Sequence, residues 1–158
     1  MENSAGAAHN DESVRQNVCE IVGEDNVVQS SEVRAHAVDG KIPKVVASPK
    51  DADALSTLLR FANRTGLSII PRGGGTKMHL GGVPKTVHVV VSLLNLNRII
   101  EYEPADLVVT AQAGLRLVEL QKILAKNGQR IPLDPPYTDK TTIGGTVSSN
   151  SSGPMRYR

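Results

Sequence analysis

The chain has 158 residues, of which 39% are hydrophobic and 3% aromatic, with no Trp, one Phe, a formal net charge of +2 and a pI near 8.8. That length supports a real core, and a core of Val, Ile, Leu and Ala favours α/β layering with buried β-branched strands. The scarcity of aromatics disfavours a base-stacking platform for single-stranded nucleic acid, no stretch gathers Lys and Arg into a nucleic-acid footprint, and no apolar run nears the about 20 residues of a transmembrane helix.

Met1 to Glu12 is polar and acidic. It lacks the apolar core of a signal peptide, so a cytoplasmic protein is expected. The single cysteine, Cys19, excludes an intrachain disulfide and a cysteine-based metal cluster. It sits beside Val18 and Ile21 in an expected helix, where burial is its expected role.

Residues 1–10 read as a disordered leader. Val14, Val18 and Ile21–Val22 recur at helical spacing, which predicts a helix over Asp11 to Val22 stopped by Gly23. An irregular segment follows to Gly40, so residues 1–41 form a leader with one short helix. Pro43 to Ala47 reads as a short strand. Ser48-Pro49-Lys50-Asp51 reads as a helix start, with Ser48 as N-cap and Pro49 at the first helical position. Leu55, Leu58, Leu59 and Ala62 line one face of that helix. Gly66 ends it, and Leu67 to Ile70 forms the next strand. Strand, helix and strand make a βαβ unit with parallel strands.

Ile69-Ile70-Pro71-Arg72-Gly73-Gly74-Gly75-Thr76-Lys77 continues from that second strand. Chain without Cβ can turn back and bring several N–H groups onto one ligand, and converging N–H groups form a nest for phosphate or pyrophosphate. Arg72 and Lys77 flank it with positive charge. A loop at a strand's carboxyl end lies where open α/β sheets place ligands. The same residues also fit a plain glycine-rich turn.

Thr86 to Ser92 returns as a third strand. His88 interrupts its apolar run and reads as a hydrogen-bonded structural histidine, since no neighbouring ligand set suggests a metal. Arg98 to Tyr102 and Leu107 to Gln112 form a hairpin about Glu103-Pro104-Ala105-Asp106. Gly114 opens a helix with Leu117, Leu120, Ile123 and Leu124 on its apolar face, closed by Asn127-Gly128. Asp134-Pro135-Pro136-Tyr137 is a rigid loop. In Thr141 to Pro154 a glycine pair, Gly144-Gly145, precedes small hydroxyl residues where a helix could begin with free N–H groups for an anion. A flexible Ser/Gly linker has the same composition. Composition shifts near residue 92, which divides the chain into two subdomains with the glycine loops facing across the cleft between them.

Taken together, Pro71-Arg72-Gly73-Gly74-Gly75-Thr76 and Thr142-Ile143-Gly144-Gly145-Thr146 resemble the FAD-binding domain of the vanillyl-alcohol oxidase and p-cresol methylhydroxylase superfamily. Pro43…Val46…Ser48-Pro49-Lys50-Asp51 and Leu133-Asp134-Pro135-Pro136 add to the resemblance, which covers residues 42–158 and is nearest to the glycolate oxidase FAD-binding subunit. It implies an α+β fold of the p-cresol methylhydroxylase type, with a βαβ-loop-β subdomain over about residues 42–92 and the start of a second α+β subdomain from about residue 98. It also implies a domain that is C-terminally incomplete, with the substrate domain missing.

The resemblance places Gly73, Gly74, Gly75, Thr76 and Lys77 around the FAD pyrophosphate, with Arg72 beside them. It places Thr142, Ile143, Gly144, Gly145 and Ser149, with Pro135, near the pyrophosphate, ribityl chain and flavin edge. A strand and not a helix follows the first loop, so this is not a Rossmann G-x-G-x-x-G site. Some relatives bind flavin covalently through a histidine directly after the glycines; Thr76 stands there, so non-covalent FAD is expected, with His79 no substitute.

The implied reaction is oxidation of a small 2-hydroxy acid such as glycolate, by hydride transfer to flavin and electron passage to a partner. Other oxidase subunits, an iron-sulfur subunit among them, are the implied partners, and no catalytic residue is assigned. A non-catalytic FAD- or nucleotide-binding or subunit-interaction module, or a truncated inactive fragment, is the alternative. A reductase of cell-wall precursor synthesis shares the fold. Within the FAD reading, Gly74→Val is expected to abolish flavin binding and leave much of the fold intact.

Overall fold

A computed structural model describes residues 11–157. The disordered leader expected over residues 1–10 lies outside the described residues. The described chain falls into two compact units. The first runs to Pro71 and takes in Gly81–Ser92, and the second holds Arg72–Leu80 and everything from Leu93 onward.

The first unit opens with α1 (Asp11–Val22), whose Val14, Val18 and Val22 are buried at intervals of four. Asp11 and Glu12 stand in its first turn, where negative charge suits the helix dipole. Gly23 takes φ 88° just beyond it. Cys19 is half-buried, not buried, because it stands one position off the valine stripe.

β1 (Val45–Ala47) is buried throughout and lies parallel to β3 (Val89–Ser92), with Val45 against Val89 and Ala47 against Val91. Such strands, covered on both faces, need the continuous apolar runs that both segments carry. β2 (Ile69–Arg72) lies on the far side of β3, giving the order β1-β3-β2. Ser68 O accepts from Val89 N–H at 3.0 Å and Arg72 O from Leu93 N–H at 2.9 Å. Both bonds climb the same way, so β2 and β3 are parallel. The expected βαβ unit therefore exists with β3 inserted between its strands. Pro71 is tolerated because β2 is an edge strand.

α2 (Ala52–Thr65) joins β1 to β2. Its N-cap is Asp51, which accepts from Ala54 N–H at 2.8 Å, and not the expected Ser48. Ser48 donates its own N–H to Asn26 O, so the chain remains extended through Pro49 before it coils. Leu58 and Ala62 are buried, whereas Leu59, expected on the same face, is exposed. Gly66 closes the helix at φ 68°. His88 Nδ1 accepts from Ser68 N–H at 3.0 Å, which gives that histidine a structural partner.

In the second unit β4 (Ile99–Glu103) and β5 (Val108–Ala111) form an antiparallel hairpin with an irregularity at Ile100. Ile99, Tyr102, Val109 and Ala111 pack on Leu115, Leu120 and Leu124, the last two from α3 (Leu117–Ala125). The helix starts after Arg116, three residues later than the expected opening at Gly114. Gly114 serves close approach instead: a Cβ there would lie 2.7 Å from the Leu93 carbonyl carbon and 2.8 Å from Leu96 O. The last helix, α4 (Ile143–Ser148), is short and contains both glycines of the second pair. No helix among the described residues is long and apolar enough to cross a membrane.

Candidate functional site

The loop after β2 and the segment before α4 lie in the same unit and are packed directly on each other, with no cleft between them. A Cβ on Gly73 would overlap Thr142 Oγ1 and lie 3.4 Å from its Cβ. On Gly74 it would lie 2.7 Å from the carbonyl carbon of Lys140 and closer still to its oxygen. The first two glycines are thus required by packing. This overturns the expectation that Gly74→Val leaves the fold intact, because backbone stands where the side chain would go.

Gly75 differs from them. Its φ of 72° is left-handed, and its open side faces the Arg72 guanidinium, whose Nε would lie 2.7 Å from an added Cβ. Arg72 therefore rests its charge against the turn. Among the described residues, none accepts a hydrogen bond from the N–H of Gly73, Gly74 or Gly75, although all three residues are half-buried. Half-buried donors without an acceptor mark a place for one. Thr76 is half-buried beside them. Lys77 reaches from the loop to donate its Nζ to Ser151 Oγ.

The second glycine pair works differently from the expectation. Thr142 caps α4, accepting at Oγ1 from Gly145 N–H at 3.2 Å. Ile143 N–H donates to Leu115 O at 2.9 Å and Gly144 N–H to Ala113 O at 2.8 Å. The donors expected to be free at this helix start are consumed by the neighbouring backbone. Gly144 is required by approach, since a Cβ would lie 2.7 Å from that of Ala113. Thr142 thus backs the first loop, while Ile143 and Gly144 spend their N–H groups on Leu115 and Ala113 and Gly145 spends its own on the Thr142 cap.

Ser149 donates its hydroxyl to Gly145 O at 2.7 Å and lines an open groove of about 460 Å³. Lys77, Pro136, Asn150, Ser151, Ser152, Gly153 and Pro154 line it with Ser149. Pro135 is buried, and its neighbour Pro136 lines the groove. Tyr137 holds φ 59°, with its carbonyl accepting from the N–H groups of Lys140 and Thr141. Ser151 was not among the expected site residues. The only hint of it in the sequence was a hydroxyl-rich stretch, and its pairing with Lys77 requires the fold.

The electrostatic character of the site is simple. Arg72 and Lys77 bring two cations to three unpaired N–H groups. No group of three or more His, Cys, Asp or Glu residues that could hold a metal occurs among the described residues. The arrangement can bind an anion through backbone donors, with side-chain cations at its edge.

Comparison with known proteins gives this site a context. A family model described as FAD binding domain matches residues 43–158. Glycolate oxidase subunit GlcD of Bacillus subtilis (strain 168) is 27% identical over 146 residues, 89% of this chain and 31% of that protein. The mitochondrial D-2-hydroxyglutarate dehydrogenase of Arabidopsis thaliana is 31% identical over 141 residues, 85% of this chain and 25% of that protein. The chain thus spans a quarter to a third of the length of these relatives.

Among solved structures, an alkyldihydroxyacetonephosphate synthase superposes with a TM-score of 0.77 at 20% identity, over 90% of this chain and 32% of that one. A p-cresol methylhydroxylase with substrate bound gives 0.70 at 17% identity, over 92% and 30%. These likenesses show the fold, which is the p-cresol methylhydroxylase type expected from the sequence. The match over residues 43–158 carries the conclusion: the chain belongs to the FAD binding domain family.

Proposed function

We propose that this chain is the FAD-holding part of a flavin-dependent oxidoreductase that oxidises a small 2-hydroxy acid. The observation that carries the cofactor site is the set of three N–H groups, on the half-buried residues Gly73, Gly74 and Gly75, that have no acceptor among the described residues. A pyrophosphate fits them chemically, since it needs many donors and close backbone approach. Arg72 against Gly75 and Lys77 at the groove supply the counter-charge. Lys140, Thr141 and Thr142 pack against the loop, and Ser149 lines the groove. Thr76 follows the glycines directly, which favours a flavin held without a covalent link to histidine.

When bound, the flavin supplies the hydride acceptor. The described residues bind and orient it, and no substrate base is assigned among them. The choice of 2-hydroxy acid draws on the relatives named glycolate oxidase and D-2-hydroxyglutarate dehydrogenase. Electron passage to a further oxidase subunit, an iron-sulfur protein among the candidates, and a cytoplasmic location belong to the same reading.

The test is to express residues 1–158 and titrate FAD, following flavin absorption and fluorescence. Stoichiometric binding supports the site. If no flavin binds at any concentration, the cofactor assignment fails for this chain. Lys77→Gln removes a cation without adding bulk. It is expected to weaken binding by about tenfold, near the low end for a hydrogen bond to a charged group.

A further inference from the structure

We propose that Asp134 is a positioning residue for the groove beside the glycine loop. The stretch Ser149–Pro154 forms most of the groove wall. It leaves α4 without joining a strand, so its backbone needs another anchor. Ser151 N–H donates back to Thr146 O at 3.0 Å, which fixes the near end. Asp134 fixes the far end at two points. Its N–H donates to Ser152 O at 3.1 Å, and its Oδ1 accepts from Met155 N–H at 2.9 Å.

Gly153 lies between those two points with φ 73°. A Cβ on it would come within 2.6 Å of the Asp134 carbonyl carbon, so the chain closes tightly over Asp134. Pro135 and Pro136 follow at once and stiffen the support. The gripped segment carries Ser151, whose Oγ accepts from Lys77. Asp134 therefore decides where Ser151 stands, and through it where the Lys77 ammonium is held over the groove.

The role requires an oxygen acceptor and not a charge. Asn keeps an Oδ1 in the same place, and Ala removes it. The ligand readout below rests on the FAD reading, whereas the backbone readout is independent of it.

The experiment compares Asp134→Ala and Asp134→Asn with the parent in the full 158-residue chain. FAD titration gives a Kd, and amide hydrogen exchange at Ser152 to Met155 reports the anchor. For Asp134→Ala the expected result is about tenfold weaker FAD binding and about tenfold faster exchange at Met155. For Asp134→Asn both values stay within about threefold of the parent. Unchanged exchange at Met155 in Asp134→Ala overturns the proposal, as does damage in Asp134→Asn equal to that in Asp134→Ala. Faster exchange with unchanged FAD affinity overturns its positioning role. A parent chain that takes up no FAD sinks the flavin reading, and the exchange comparison still decides the anchor.

Discussion

Gly74→Ala adds a single methyl group where the structure has no room for one. The new Cβ would stand 2.7 Å from the carbonyl carbon of Lys140. Carbon atoms pack at about 3.5–4.0 Å and the Lys140 oxygen lies closer still, so the loop and the segment must part by more than about 1 Å. The obstacle is backbone, which cannot rotate away as a side chain can. Behind it lie Thr141 and Thr142, both buried, with Thr142 Oγ1 capping α4. Separation therefore loosens the cap as well as the contact. Overpacking of this kind costs about 1–3 kcal/mol, and a backbone clash belongs at the upper end. For a chain of this size about 3 kcal/mol lowers Tm by about 6–12 °C. Thermal unfolding followed by circular dichroism measures it. FAD titration should lose affinity in parallel, because the three unpaired N–H groups ride on the displaced backbone.

Gly145→Ala is the control. Its Cβ would meet Thr142 Oγ1 at 3.1 Å, on a helical backbone where Ala is the better helix former. Its Tm should stay within about 4 °C of the parent. A Gly74→Ala protein that melts within about 2 °C of the parent and binds FAD equally well would refute the reasoning.

Further outcomes follow from single residues. Thr146 Oγ1 is buried without a partner, so Thr146→Val should leave Tm unchanged or raise it by about 2–4 °C; a fall of that size would show that the hydroxyl is needed. Asp51→Ala removes the α2 cap and should cost about 1 kcal/mol, or about 2–4 °C in Tm. Asp51→Asn should restore most of that loss, and equal losses in the two variants would contradict the capping role. Asp11→Asn breaks the ion pair with Lys44 at 2.7 Å; Asp11 is 75% exposed there, so Tm should move by no more than about 2–4 °C.

Much of the architecture was legible because it is written locally. Val14, Val18 and Val22 announce α1 by spacing, and continuous valine runs announce β1 and β3 as strands covered on both faces. The glycine run after β2 is legible as a turn of backbone, which fits an anion nest and a plain glycine-rich turn alike. Helix starts were less secure. Ser48 and Asp51 are both good N-caps three residues apart, and only the bond from Ser48 N–H to Asn26 O, a partner distant in sequence, chose Asp51. Strand order was not local either. The insertion of β3 between β1 and β2 depends on where the chain returns after the loop.

The chemistry of the site divides in the same way. The sequence by itself determined that donors and cations gather at Arg72 to Lys77, because glycine frees the backbone and the charges are adjacent in the chain. It also determined that a second glycine pair follows at Gly144-Gly145. It did not determine what those glycines do. Free N–H groups on α4 were expected from the pattern. Tertiary structure consumed them in bonds to Ala113 and Leu115, and used Gly73, Gly74 and Gly144 for close backbone approach. A glycine is selected equally by a ligand and by a neighbouring chain, and the two differ only in what occupies the space beside it. Only the fold supplies that neighbour, as it alone brings Lys77 to Ser151 and Asp134 to Met155.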